Sequence, residues 1–97
     1  MSERSFRVSI YKYLDALQAT WWESIQQVAI KGTPDIIMCI NGFFVALEFK
    51  KDNKTKPSKI QEYKLECIRS AGGVALVVCP ENWKEIYALL KKLSFPI

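Results

Sequence analysis

The stretch Ile36-Ile37-Met38-Cys39-Ile40-Asn41-Gly42-Phe43-Phe44-Val45-Ala46-Leu47-Glu48-Phe49 decides the fold. Two apolar, β-prone runs flank Asn-Gly, the strongest short-range signal for a hairpin closed by a two-residue type I′ turn. With Asn41 and Gly42 in the loop, Ile40 faces Phe43. Stepping outward pairs Cys39 with Phe44, Met38 with Val45, Ile37 with Ala46, Ile36 with Leu47 and Asp35 with Glu48. Runs that are apolar on both faces belong inside a sheet covered by helices.

On the C-terminal side, Lys51-Asp52-Asn53-Lys54-Thr55-Lys56-Pro57-Ser58-Lys59 is a basic, flexible, loop-like segment. A helix is expected from Ser58 to Ser70, with Tyr63, Cys67 and Ala71 on one apolar line and Leu65 and Ile68 beside it. Gly72-Gly73 stops it. Val74–Cys79 reads as a short buried strand, reached by a crossover whose length makes it parallel to the Glu48 strand. Pro80 opens a last helix with Trp83, Ile86 or Tyr87, Leu90 and Leu93 along one stripe. On the N-terminal side, Lys31-Gly32-Thr33-Pro34 is a coil entry, because Pro34 lacks an N–H and holds Thr33 out of helix. Thr20–Ile30 reads as a strand, and residues 3–19 as a helix capped by Ser2 or Ser5. The order α-β-β-β-α-β-α gives an α/β fold: a small mixed central sheet flanked by helices, in a single domain over residues 1–97.

Composition narrows the chemistry. The 97 residues carry 14 Lys plus Arg against 10 Asp plus Glu, and no His, which excludes Ser-His-Asp and Cys-His hydrolysis and His-ligated zinc. Cys39, Cys67 and Cys79 are unclustered and lie in apolar runs, so they read as small buried hydrophobes in a reducing, cytoplasmic setting. No apolar run approaches the roughly 20 residues of a membrane span. The net charge of +4 is a mild pointer to an anionic partner.

The hairpin register sets Asp35 and Glu48 opposite each other, with Cβ atoms about 5 Å apart. Like charges so placed repel, and a divalent cation such as Mg²⁺ or Mn²⁺, which prefers hard oxygen ligands, relieves the repulsion. Lys50 lies on the same strand face as Glu48, so its ammonium can point at an attacking water or a developing pentacovalent phosphate. On residue type alone, two acids and a lysine at strand ends are equally an ordinary solvated group, and Gln61 an ordinary first-turn polar residue.

Gly32-Thr33-Pro34-Asp35, Glu48-Phe49-Lys50 and Gln61, continued by Lys56-Pro57-Ser58-Lys59-Ile60-Gln61 and Ile68-Arg69-Ser70-Ala71-Gly72-Gly73-Val74, resemble the PD-(D/E)XK nuclease superfamily. The nearest likeness is to small, stand-alone, phage-type VRR-NUC domains. That resemblance covers about residues 31–79 and implies a restriction-endonuclease-like core. It implies a Mg²⁺- or Mn²⁺-dependent endodeoxyribonuclease with metal held by Asp35, Glu48 and the backbone carbonyl of Phe49. Lys50 would assist the attacking water and Gln61 would support it. An acidic residue on the first helix often completes such sites: Glu3 is the best match, with Glu23 the other candidate. Family members commonly carry a basic residue near position 23 and a longer segment before Gly-x-Pro-Asp; this chain has Glu23 and a short segment.

The likeness further implies a homodimer acting on branched or four-way-junction DNA, in the host cytoplasm if the protein is phage-encoded. Lys31, Lys51, Lys54, Lys56 and Lys59 would contact DNA phosphates. A dimer would also cover apolar residues left over from a small core, among Trp21, Trp22, Phe43, Trp83, Tyr87, Phe95 and Ile97. The alternative is a non-catalytic DNA-binding module on a degenerate nuclease fold, in which the basic segment matters and the acids do not.

Overall fold

The computed structural model describes residues 2–25 and 30–95. Among them, seven elements follow the expected order: α1 Glu3–Asp15, β1 Thr20–Ser24, β2 Ile36–Ile40, β3 Phe43–Phe49, α2 Lys59–Ser70, β4 Val74–Val78 and α3 Trp83–Ser94. The strands form one sheet in the order β1-β2-β3-β4, antiparallel except for the parallel β3–β4 pair that α2 bridges. This is the restriction-endonuclease-like α/β arrangement expected, a small mixed sheet flanked by helices.

The hairpin register runs as read, from Ile40 opposite Phe43 to Ile36 opposite Leu47. Asn41 and Gly42 have φ of 50° and 87°, the two positive angles that a type I′ turn requires. The ladder does not continue to an Asp35–Glu48 pair. Asp35 instead donates its N–H to the Leu47 carbonyl at 3.0 Å, although Leu47 already faces Ile36. Two residues against one make a β-bulge, which re-aims the side chain it displaces. The Asp35 carbonyl accepts from Ile25 N–H at 2.7 Å, so the bulge is held from both sides.

One sheet face carries the main core. Ile36, Met38, Ile40, Val45, Leu47, Phe49 and Val78 pack against Phe6, Ile10, Leu14 and Leu17 and against Leu90 of α3. Phe6 meets Phe49 edge-on, with ring centroids 5.9 Å apart. Helix α1 stops at Asp15 and not near residue 19, because the chain reverses through Ala19 at φ 52°. Leu17 extends the apolar periodicity from within that turn, where it is 8% exposed.

On the other face, the small Ala46 and Ala75 leave room for Leu65 of α2, with Ile68 and Val77 packed beside it. The inward line of α2 is therefore Leu65 with Ile68, whereas Tyr63, Cys67 and Ala71 face out. Of the three cysteines only Cys79 is buried; Cys39 and Cys67 are exposed. Helix α2 rests on the β3–β4 half of the face. The cross-strand row Trp21, Cys39 and Phe44 stays open, with Trp21 54% and Phe44 46% exposed. Helix α3 begins at Trp83, later than Pro80, because the Asn82 amide is engaged with Cys79 N–H and the Val77 carbonyl, each at 2.9 Å, and holds the intervening residues in a turn. Strand β1 ends at Ser24, short of the expected Ile30; residues 26–29 and Ile97 lie outside the described residues. Among the described residues no helix is long and apolar enough to cross a membrane.

Gly32, at φ 81°, approaches the start of α2 so closely that an added Cβ would lie 2.9 Å from Ile60 Cγ1 and 3.0 Å from the Ile60 carbonyl oxygen. A Cβ on Gly42 would meet nothing within 4 Å. Gly42→Ala should therefore cost only the left-handed backbone penalty, about 1–2 kcal/mol. Gly32→Ala should cost at least about 1 kcal/mol more through overpacking. Urea unfolding midpoints of the two variants check the ranking.

Candidate active site

Strand β3 ends in Glu48 and Phe49, and Lys50 follows. Glu48 points to the α2 face, in alternation with Phe49, and is only 2% exposed. Its Oε2 accepts from Gln61 Nε2 at 3.0 Å and lies 3.8 Å from Lys50 Nζ. Its Oε1 is buried with no hydrogen-bond partner among the described residues. Lys50 Nζ in turn donates to Gln61 Oε1 at 3.0 Å.

Gln61 reaches this position because it also starts a helix. Ser58 caps α2 by accepting from Gln61 N–H at 3.2 Å, and Ser58 N–H donates back to Gln61 Oε1 at 2.8 Å. This capping box satisfies N–H groups that a helix start would leave bare. One amide thus closes the helix end, steadies Lys50 and holds Glu48.

The bulge brings Asp35 to the same corner. Asp35 Oδ2 accepts from Phe49 N–H at 2.7 Å, and Oδ1 lies 3.4 Å from Arg7 Nη1. Lys50 N–H is directed to the Val78 carbonyl, at 2.9 Å, so the N–H and carbonyl of Phe49 face the opposite way, toward Asp35. Burial, then the neighbouring Asp35 carboxylate, pushes the Glu48 carboxyl from its ordinary 4.5 to about 8; Glu3 adds a smaller push and Lys50 opposes it. Without a cation, the site thus favours the protonated form of Glu48.

Asp35, Glu48, Lys50 and Gln61 are thus brought together as the sequence suggests, with the Phe49 carbonyl directed to the same side. Glu3, half-buried in the first turn of α1, contributes to the field at Glu48, whereas Glu23 is exposed on β1 opposite Ile37. Among the described residues no three Asp, Glu, Cys or His side chains close on one metal position. The two carboxylates, one buried oxygen without a partner and a backbone carbonyl nevertheless fit a hard divalent cation, which commonly takes one or two carboxylates and fills its shell with water and phosphate. Lys31, Lys51, Lys54, Lys56 and Lys59 are all exposed. The last four lie on the β3–α2 connection and at the start of α2, beside the acids.

That connection is more built than its composition suggests. Asp52 Oδ1 accepts from Lys54 N–H at 3.0 Å and from the N–H and hydroxyl of Thr55, both at 2.8 Å. The Thr55 hydroxyl leads the hydrogen bonds that lower the Asp52 carboxyl below its usual range. Arg7 joins the site although the sequence pattern does not single it out. Its signal was the i,i+4 spacing from Glu3, which puts both side chains on one stripe of α1.

Compared as a sequence, the chain matches no family model and no curated protein. Compared as a structure, it is similar to a chain described as "VRR_NUC domain", 24% identical, with a TM-score of 0.70 over 94% of this chain and 91% of that one. It is also similar to a "VRR_NUC domain protein", 17% identical, with a TM-score of 0.74 over 96% of this chain and 90% of that one. What is shared at these identities is the fold, which is that of a VRR_NUC domain.

The raised Glu48 carboxyl sets a direction for stability against pH. Its folded value lies above its unfolded one, so its stabilising contribution is complete below about pH 4.5 and is lost as pH rises through about 8. In the presence of a chelator, the urea midpoint should fall between pH 5.5 and 8.5. Glu48→Gln, which keeps the shape without the charge, should flatten that fall and exceed the parent protein in stability at pH 8.5. A variant that retained the full pH dependence would remove Glu48 as its source.

Proposed function

We propose that this chain is a metal-dependent DNA endonuclease, with Mg²⁺ or Mn²⁺ held by Asp35, Glu48 and the Phe49 carbonyl, and with residues 1–97 acting as one unit. The observation that carries the reading is the buried, half-satisfied Glu48 carboxylate set beside Asp35 on one hand and the Gln61-steadied Lys50 on the other. Purely structural ion pairs do not need a second carboxylate pressed against a buried first. The fold shared with proteins described as VRR_NUC domains supports it.

The cation, when bound, supplies charge for a water and for the scissile phosphate. Lys50 holds an ammonium at the edge of the site, where it orients the attacking water and meets the negative charge on the phosphoryl oxygens. Gln61 limits where that ammonium can go. Glu3 adds negative field from α1 and stands as the candidate acid to complete the ligand shell. Lys31, Lys51, Lys54, Lys56 and Lys59 supply phosphate contacts that position DNA and make its binding salt-dependent.

The working unit in this reading is a two-fold dimer on branched DNA, including four-way junctions, since two symmetric cuts need two sites. The occupant of the open Trp21-Cys39-Phe44 row is a second copy of the chain, which would bury aromatic area of the kind that interface cores use. Exposed free thiols at Cys39 and Cys67 suit a reducing cytoplasm.

Labelled linear, single-stranded and four-way-junction DNA, incubated with and without Mg²⁺ or Mn²⁺, tests the activity. Asp35→Asn, Glu48→Gln and Lys50→Ala should each fold and lose about a hundredfold or more in cleavage rate. Near-parental cleavage by either acid variant at limiting metal would remove the ligand assignment. Sedimentation at micromolar concentration should show a dimer that Phe44→Asp converts to monomer; a monomeric parent, with and without DNA, would overturn the dimer.

A further inference from the structure

We propose that Arg7 is a hand-over residue: it neutralises Asp35 while the carboxylate pair lacks a cation, and it binds a substrate phosphate once a cation takes its place. This rests on the metal reading given above. The first ground is competition for one oxygen. Asp35 Oδ2 is taken by Phe49 N–H at 2.7 Å, which leaves Oδ1 as the oxygen with freedom to serve a cation. Oδ1 is also the oxygen that Arg7 approaches.

The second ground is how loosely Arg7 is held. Nη1 alone reaches Oδ1, at 3.4 Å, so the contact is neither short nor the two-pronged pairing that binds a guanidinium tightly to a carboxylate. Lys50, by contrast, is tied to Gln61 at 3.0 Å beside Glu48 and has little freedom to move to a ligand. The Arg7 and Asp35 side chains are 25% and 20% exposed, so the guanidinium can leave without opening the core. Its Cα stays in place, because Phe6 and Ile10 anchor the same helix in the main core.

The third ground is direction. Helix α1 lies over one sheet face, and Glu48 and Lys50 belong to the other, where α2 packs. A phosphate at the acids would then meet the guanidinium from one side and the ammonium from the other. A freed guanidinium offers a planar fork of donors that matches phosphate oxygens, which a second lysine would not.

Arg7→Gln tests this, since Gln keeps helix propensity and removes the charge. Calorimetric titration with Mn²⁺ in the absence of DNA should show about fivefold or greater tightening relative to the parent, because a competing positive charge is gone. Binding of four-way-junction DNA in Ca²⁺, with the substrate confirmed uncut, should weaken, and its salt dependence should lose about one phosphate's worth of slope. Unchanged or weaker Mn²⁺ binding in the variant, or an unchanged salt slope, would overturn the hand-over while leaving the metal site standing. Failure of the parent to bind Mn²⁺ at all would overturn the metal reading itself, and the hand-over with it.

Discussion

A carboxylate shut away from water with one oxygen unsatisfied is the constraint on which this corner of the molecule depends. Stranding an ionised carboxyl in such a place costs several kcal/mol even after relaxation, so it must be protonated, paired or bound to a cation. Glu48 uses the first two in part: Gln61 takes one oxygen, Lys50 stands 3.8 Å away, and the proton is retained to about pH 8. Among the described residues no donor reaches Oε1, and the carboxylate beside it is that of Asp35. A folded core that keeps such a group at the end of a central strand gives up stability there, and the proposed metal chemistry is what that loss serves.

Most of the fold was legible because its signals are local. Asn41-Gly42 between apolar runs set the turn and the register, and the length of the segment after Lys50 required a crossover and hence a parallel strand. The bulge at Asp35 was not legible. No side chain marks it; it arises because Leu47 offers one carbonyl to two N–H groups while Ile25 and Phe49 hold Asp35 from either side. The orientation of α2 was also out of reach, since Tyr63-Cys67-Ala71 and Leu65-Ile68 are both apolar lines. Ala46 and Ala75 decided between them by leaving room for one Leu.

The site residues show the same division. Glu48 and Lys50 could be placed by strand alternation, whereas the expected Asp35–Glu48 register pair gives way to the bulge that brings Asp35 to the corner. Gln61 was recognisable only by resemblance, although Ser58-x-x-Gln61 is a capping-box spacing with a physical reason of its own. Arg7 depended on how α1 crosses the sheet, and no pattern within a single helix specifies a crossing angle. Long-range packing brings the two faces of the sheet together at one end, so residues contributed by α1 and α2 surround acids contributed by β2's approach and β3.

The double use of Gln61 bears on when the site comes into being. A chain emerging during synthesis completes the acids and Lys50 before α2, and until that helix docks, Lys50 and Glu48 lack the amide that relates them. The capping box cannot form without the helix, and without the same side chain the helix start loses one of its two capping hydrogen bonds. Chemical competence is therefore tied to the completion of folding: a half-made or partly unfolded chain has the right residues and no working arrangement of them. For a protein read as cutting DNA, that coupling is a safeguard set by a single amide.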